Sequence, residues 1–171
     1  MANTYSLLDS VTVNVSTANV TFSNIPSGYT DLAVWISARS NRSAASTDNI
    51  RFRFNDDSGA NYNYDSFYTA ASNSTAYDFG ANMTSGIIGN YITTIGGSAY
   101  WSSIFMYIPN YTTNGIKIIQ NDMANEYDGY ASIASNSWTG TSAITKIYFY
   151  AQVADGFTQY STFQLYGIKS N

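Results

Sequence analysis

Oxygen-bearing side chains crowd one short segment of the chain, which is where a metal site would be sought first. Asp56, Asp57, Ser58 and Asn61 lie close together there. Hard cations such as Ca²⁺ bind carboxylate, amide and hydroxyl oxygens in loops of this kind, but the spacing differs from an EF-hand, which alternates its ligands and closes on a glutamate. We favour the alternative, a plain turn that uses Asp and Gly for their backbone conformations. We therefore predict no metal or other cofactor, with Asp56, Asp57 and Asn61 as weak calcium candidates.

Other catalytic groups are scarce. A second acidic cluster, Asp122, Glu126 and Asp128, has the same two interpretations. The chain contains no histidine or cysteine and a single glutamate, so the usual general base and the usual thiolate nucleophile are missing. A glycosidase needs two carboxyl groups that face each other across a cleft, whereas the acids here fall mainly in predicted loops. We predict that the protein is not an enzyme.

Aromatic side chains are the most abundant groups that could bind a ligand. The chain has 16 tyrosines, and its three tryptophans are Trp35, Trp101 and Trp138. Their ring faces could stack on sugars, while amides and hydroxyls complete the hydrogen bonds. We favour the alternative, in which Trp and Tyr pack the sheets and cover subunit contacts, because both are enriched at interfaces. Trp101 is accordingly a candidate interface residue.

Two arginines alternate with large apolar residues. Ile50, Phe52 and Phe54 are separated by Arg51 and Arg53, which predicts a strand with three apolar groups inside and two cations outside. The two cations could reach acidic groups of a partner, which makes Arg51 and Arg53 interface candidates. The alternative, which we favour, is a solvated strand face.

The elements that position these residues are predicted to be strands throughout. Apolar residues recur with a period of two, and β-branched and aromatic residues dominate. Eight or nine strands are expected, with a loop of small residues at 70–76, and residues 121–136 are ambiguous between loop and strand. The fold class is therefore all-β, an antiparallel β-sandwich of eight or more strands. Long connections between some strands favour a jelly roll over a simple meander.

Length and charge narrow the function classes further. We expect 171 residues to form one domain, residues 1–171, with residues 1–10 as a candidate N-terminal arm. Only 11% of residues are charged, and the net charge is −4, which argues against a nucleic-acid partner. No apolar run is long enough for a membrane span, and the first ten residues lack the pattern of a signal peptide.

Five segments of the chain form a recognisable series, which runs NIPSGYTDL (24–32), ISARSNRSAASTDNIRFRFNDDSGANY (36–62), YIPNY (107–111), SWTGTSAITKI (137–147) and STFQLYGIK (161–169). Together they resemble a family of tailed-bacteriophage virion structural proteins, and the match extends from about residue 19 to residue 169. Its most specific parts are RFRFNDDSGANY and STFQLYGI. None of these segments is a catalytic signature, and residues 73–100 depart most from the family pattern.

The resemblance implies a jelly-roll domain that occurs alone or attached to larger head, tail or fibre proteins. A free-standing chain of this length looks like a capsid decoration (cement) protein, often a homotrimer at local three-fold positions of the shell. The implied partners are the major capsid protein and further copies of the chain. The implied location is the virion, after synthesis in the host cytoplasm. The alternative is a tail or fibre module that binds host-surface carbohydrate.

Overall fold

The computed structural model describes residues 4–70, 74–94, 96, 100–125 and 129–169. These residues contain twelve strands, which run in the order β1 (Thr4–Thr12), β2 (Asn19–Phe22), β3 (Asp31–Ala38), β4 (Thr47–Phe54), β5 (Tyr62–Ala70), β6 (Ser74–Met83), β7 (Gly86–Thr93), β8 (Ser102–Ile108), β9 (Lys117–Asn125), β10 (Tyr130–Trp138), β11 (Ile147–Ala151) and β12 (Thr162–Lys169). The predicted all-β class is therefore confirmed. From Thr4 onward, the candidate N-terminal arm lies in β1, an edge strand paired with β12.

The strands form two antiparallel sheets with jelly-roll connectivity. The large sheet has the order β1-β12-β3-β8-β9-β10-β5-β6, and the small sheet has the order β2-β11-β4-β7. Among the first four strands of the large sheet and the four strands of the small sheet, the chain changes sheet at every connection except β4 to β7, as in a jelly roll. The remaining four strands, β9-β10-β5-β6, extend the large sheet on one side. We call them the sheet extension.

Aromatic side chains fill the space between the sheets. Phe52 and Phe54 of β4 lie with ring centroids 4.9 Å apart, and Phe163 of β12 contacts Phe149 across the core at 5.6 Å. All four are fully buried. Alternation along each strand directs these rings inward and polar neighbours outward, which is the pattern that the sequence shows most clearly in this part of the chain.

The twelve strands of the described residues exceed the eight or nine expected, and three strands of the extension were missed or left open by the sequence. Residues 70–76 were expected to form a loop of small residues, yet β6 begins at Ser74. The ambiguous segment 121–136 contains the end of β9 and most of β10. Burial alternates along both strands, but many of the buried residues are polar. Hydrophobic periodicity therefore could not reveal these strands.

Buried amides hold the extension against the small sheet. β7 is the edge strand of that sheet and packs across β9 and β10. The Asn136 side chain accepts a hydrogen bond from the Ile87 amide at 2.9 Å and donates to the Ile87 carbonyl at 2.9 Å. Asn121 donates to the same carbonyl at 3.0 Å. The Asn136 amide thus pairs with β7 as a neighbouring strand would, which protects an otherwise open edge.

Replacing Asn136 with Leu should lower the free energy of unfolding by about 2 kcal/mol, because the buried Ile87 N–H loses its partner. Urea denaturation followed by circular dichroism measures the change. Gln120→Leu is the matched control, since Gln120 is an exposed amide on the adjacent strand, and it should change stability by less than about 0.5 kcal/mol. If the two substitutions lowered the free energy of unfolding equally, the hydrogen bonds between Asn136 and Ile87 would not be what holds the extension to the small sheet.

Candidate binding surface

The calcium candidates lie in a loop whose acceptors bind protein donors. Asp57 accepts hydrogen bonds from Trp138 Nε1 at 2.7 Å, from the Gly59 amide at 2.9 Å and from Asn61 Nδ2 at 3.0 Å. Asp56 pairs with the Lys146 ammonium at 2.7 Å. Within the described ranges, no group of three His, Cys, Asp or Glu side chains is arranged to hold a metal. The geometry is that of a turn organised by its own side chains.

These hydrogen bonds change the acidity of Asp57. Burial favours the neutral acid, but the donors from Trp138, Gly59 and Asn61, together with the nearby Arg53, outweigh it and hold the pKa of Asp57 below its ordinary value of 3.8. The carboxylate therefore anchors the loop to Trp138 at the end of β10.

The prediction that Arg51 faces solvent is wrong. Only 7% of Arg51 is exposed, and its guanidinium lies 5.3 Å from the ring centroid of Tyr64. Its Nε donates to Gln152 Oε1 at 2.9 Å. Arg51 is covered because the ring of Tyr64 on β5 packs against its guanidinium, and strand alternation within β4 gives no sign of such a cover. Arg51 is thus a structural residue.

The other interface candidates are partly exposed. Arg53 donates to the Thr84 carbonyl at 3.0 Å and lies over the ring of Tyr150, 5.2 Å from its centroid. Trp101 lies beneath the guanidinium of Arg39, at 5.8 Å. Each of these side chains already has an intramolecular contact, so neither marks a partner site unambiguously.

Two of the three residues of the second acidic cluster, Glu126 and Asp128, lie outside the described residues. The third, Asp122, points outward from β9. Burial raises the pKa of its carboxyl above the ordinary value of 3.8. Asp122 therefore belongs to the outer surface of the large sheet, in surroundings less polar than open solvent.

The sheet extension reverses the usual distribution of polarity. Its inner face buries polar side chains, which include Lys117, Asn121, Asn125, Ser132 and Asn136. Its outer face exposes Phe67 by 67% and Ile133 by 64%, and Tyr77 and Phe79 are exposed by more than half. Exposing apolar side chains to water is unfavourable, and exposed apolar clusters on soluble domains commonly mark contact sites. We call Phe67, Tyr77, Phe79 and Ile133 the contact patch.

A depression lies beside the contact patch. Its volume is about 620 Å³, and residues of β9, β10, β5 and β6 line it, with Phe67 and Ile133 among them. Tyr77 contacts Phe67 at 5.0 Å between ring centroids and donates its hydroxyl hydrogen to Asp65. The patch is therefore a shaped aromatic surface, and it provides room for an inserted side chain.

A second aromatic group lies on the same outer face, on the jelly-roll half of the sheet. Trp35 of β3 and Phe105 of β8 are direct cross-strand partners with ring centroids 4.6 Å apart. Trp35 is 46% exposed. We call this pair the aromatic platform. Direct cross-strand pairing continues from Phe105 through Asp122 and Ile133 to Phe67, so the platform and the contact patch share one row across the sheet.

The sequence matches no protein-family model, and it has no significant match among curated proteins. Among the described residues, no helix is long and apolar enough to cross a membrane.

Sequence reasoning named Trp35 as a possible sugar-stacking residue but missed the contact patch. Phe67 and Ile133 resemble core residues when they are read along a single strand. The available signal was the alternation, along each strand, of these apolar residues with polar or small ones on the opposite face, such as Asn136 on β10. That signal becomes meaningful only when the inward side of each strand is known.

Proposed function

We propose that the protein is a structural protein of a tailed-bacteriophage virion, most simply a capsid decoration protein that bridges capsid subunits. The observation that carries the proposal is the reversed polarity of the sheet extension, which leaves the contact patch uncovered. The jelly-roll fold agrees with what the family resemblance implies. A protein whose task is to bind neighbours needs buried area and complementary shape, and it needs no acid–base chemistry.

The chemistry of the contact patch suits a protein partner. Phe67, Tyr77 and Phe79 are aromatic, and such residues are enriched in the centres of protein interfaces. Ile133 adds aliphatic area that offers no ring face to a sugar. Asp65 and Asp122 border the patch, so a capsid surface with a lysine or arginine at its edge would be complementary.

The position of the patch in the chain supports the same proposal. Tyr77 and Phe79 lie in residues 73–100, the part of the chain that departs most from the family resemblance. A decoration protein must match its own capsid, so the partner-specific residues are expected where the family pattern is weakest. Several copies around a local symmetry axis would add their contacts, and multivalent attachment strengthens binding greatly.

Binding to isolated shells tests the proposal. The purified protein should co-sediment with expanded heads of the phage that encodes it, and a trimer should be found by analytical ultracentrifugation. Phe67→Ser should weaken shell binding at least about tenfold, because a central aromatic contact is lost. Tyr160→Ser, which removes an exposed aromatic residue in the turn before β12, is the control and should bind normally. No binding to any shell would overturn the proposal.

The second candidate is a tail or fibre module. The exposed aromatic platform favours it, because recognition of host-surface carbohydrate uses such rings. Immunogold labelling of intact particles separates the two candidates. Label over the head agrees with decoration, and label confined to the tail supports the module.

A further inference from the structure

The aromatic platform stands among groups that are polar and mostly uncharged. Gln164 of β12 pairs with Trp35 on one side, and Asp122 of β9 pairs with Phe105 on the other. Ser37 and Ser103 lie two residues along the same strands and face outward, as their exposure shows. Two stacked rings are thus framed by an amide, a carboxylate and hydroxyls.

The neighbouring outward position along the strands adds two phenol groups. Tyr166 and Tyr107 lie on either side of Ala33 and are half-buried. Tyr166 donates a hydrogen bond to Gln164 Oε1 at 3.3 Å, and Tyr107 donates to Asp31 at 2.8 Å. Burial and the Asp31 carboxylate raise the pKa of Tyr107 to about 12, so this phenol stays neutral at ordinary pH.

We propose that the aromatic platform binds a neutral sugar chain, with pyranose C–H faces stacked on Trp35 and Phe105. Aromatic ring faces are electron-rich, and they attract the weakly positive C–H groups of a pyranose. Sugar hydroxyls donate hydrogen bonds to the Asp122 carboxylate. They both donate to and accept from the Gln164 amide and the hydroxyls of Ser37 and Ser103. Such a mixture of apolar faces and a few placed polar groups is typical of ligand sites.

Charge selects among the classes of glycan. No lysine or arginine occurs among the outward positions of β3, β8 and β9 around the platform, and Asp122 provides a negative charge there. Asp122 would repel uronic or sialic acid chains, and the outward cation that follows β3, Arg39, already lies over the ring of Trp101 at 5.8 Å. The site therefore fits an uncharged polysaccharide.

The sugar site and the contact patch adjoin at Asp122, which pairs with Phe105 on one side and with Ile133 on the other, but their central aromatic rings are well separated. Four strand spacings lie between Trp35 and Phe67, which is about 19 Å. A protein that docks through the contact patch could keep the platform accessible. This inference goes beyond the virion role, and it holds for a position on the head or on the tail.

Direct titration tests the site without a capsid. The purified protein is titrated calorimetrically with a neutral panel of maltohexaose, cellohexaose, xylohexaose and soluble mannan, and with polygalacturonate and polysialic acid as acidic probes. At least one neutral probe should bind, and both acidic probes should fail. Trp35→Ala and Phe105→Ala should each weaken that binding by about tenfold or more, as for central aromatic contacts elsewhere.

Two controls keep the outcome interpretable. Phe67→Ser should weaken shell binding and leave sugar binding unchanged, so failure of one proposal is distinguishable from failure of the other. Gln164→Ala removes no aromatic ring, so it still tests the site if Trp35→Ala fails to fold. It should weaken sugar binding severalfold. The inference is overturned if no neutral probe binds, if acidic probes bind better, or if folded Trp35→Ala binds as the wild type does.

Discussion

Replacing Asp57 with Ala is expected to lower the free energy of unfolding by about 3–5 kcal/mol. The substitution removes hydrogen bonds to a charged acceptor, each worth about 1.5–3 kcal/mol, and the sum is reduced because they share one group. It also leaves the Trp138 indole N–H, on a ring that is 2% exposed, without its partner. Urea denaturation monitored by tryptophan fluorescence measures the loss.

Asp56→Asn is the matched control in the same loop, because Asp56 has φ of +60°, a conformation that Asn tolerates and Ala does not. Asp56 is exposed and forms an ion pair with Lys146, and such surface pairs contribute about 0–1 kcal/mol. The Asp57 variant should therefore lose several times more free energy of unfolding than the Asp56 variant. A comparable loss in both variants would show that the loop does not depend on the Asp57–Trp138 hydrogen bond. A rise in the melting temperature on adding Ca²⁺ would instead revive the calcium interpretation of Asp56, Asp57 and Asn61.

The same residue predicts a pH dependence of stability. Because the pKa of Asp57 is lower in the folded protein than its ordinary value of 3.8, ionised Asp57 contributes its full stabilisation above pH 3.8. The contribution is lost as the pH falls through the lower, folded-state pKa. The difference in unfolding free energy between wild type and Asp57→Ala should thus be constant at neutral pH and shrink below pH 3.8. A difference that grows on acidification would contradict this sign.

Gly156→Ala is expected to cost about 3–5 kcal/mol, since overpacking and backbone strain act together. Gly156 has φ of +152°, and an added Cβ would lie 1.9 Å from the backbone oxygen of Thr17. That segment cannot move freely, because Phe157 and Thr17 form a two-way backbone bridge with bonds of 2.8 and 3.1 Å. Thermal unfolding by calorimetry measures the effect.

Gly115→Ala provides the comparison for Gly156. No atom lies within 4 Å of the position that its Cβ would occupy. The substitution should change stability by less than about 0.5 kcal/mol, as surface changes usually do. If Gly156→Ala were equally mild, the close approach of Gly156 to Thr17 would not be a constraint on the fold.

Much of the jelly-roll half could be predicted from the chain. Ile50, Phe52 and Phe54 alternate with polar residues, and the structure buries all three. In such strands the apolar side faces the core, so the sequence period and the burial period agree. This agreement explains why the fold class could be predicted. Several strand boundaries and the number of strands were predicted wrongly, because the extension lacks the same agreement.

The sheet extension shows where that reasoning failed. Along β10, Ser132, Ala134 and Asn136 are buried while Ile133 is exposed, so an apolar-inside interpretation assigns the strand to the wrong face. The prediction for Arg51 failed because Tyr64 of β5, a strand of the other sheet, covers its outward side. Neither error involves local propensity, and both arise from what lies across the sheet.

Local chemistry therefore accounts for strands such as β4 in the jelly-roll half, for the turn at Asp57 and for the lack of the usual catalytic groups, because each depends on residue types and on neighbours close in the chain. The outer face is different. Trp35, Phe105, Asp122 and Phe67 lie far apart in the sequence, and hydrogen-bonded register across five strands brings them into one row. Register depends on the pairing of whole strands and on which face the core covers. The binding surface consequently emerged only with the packed sheets.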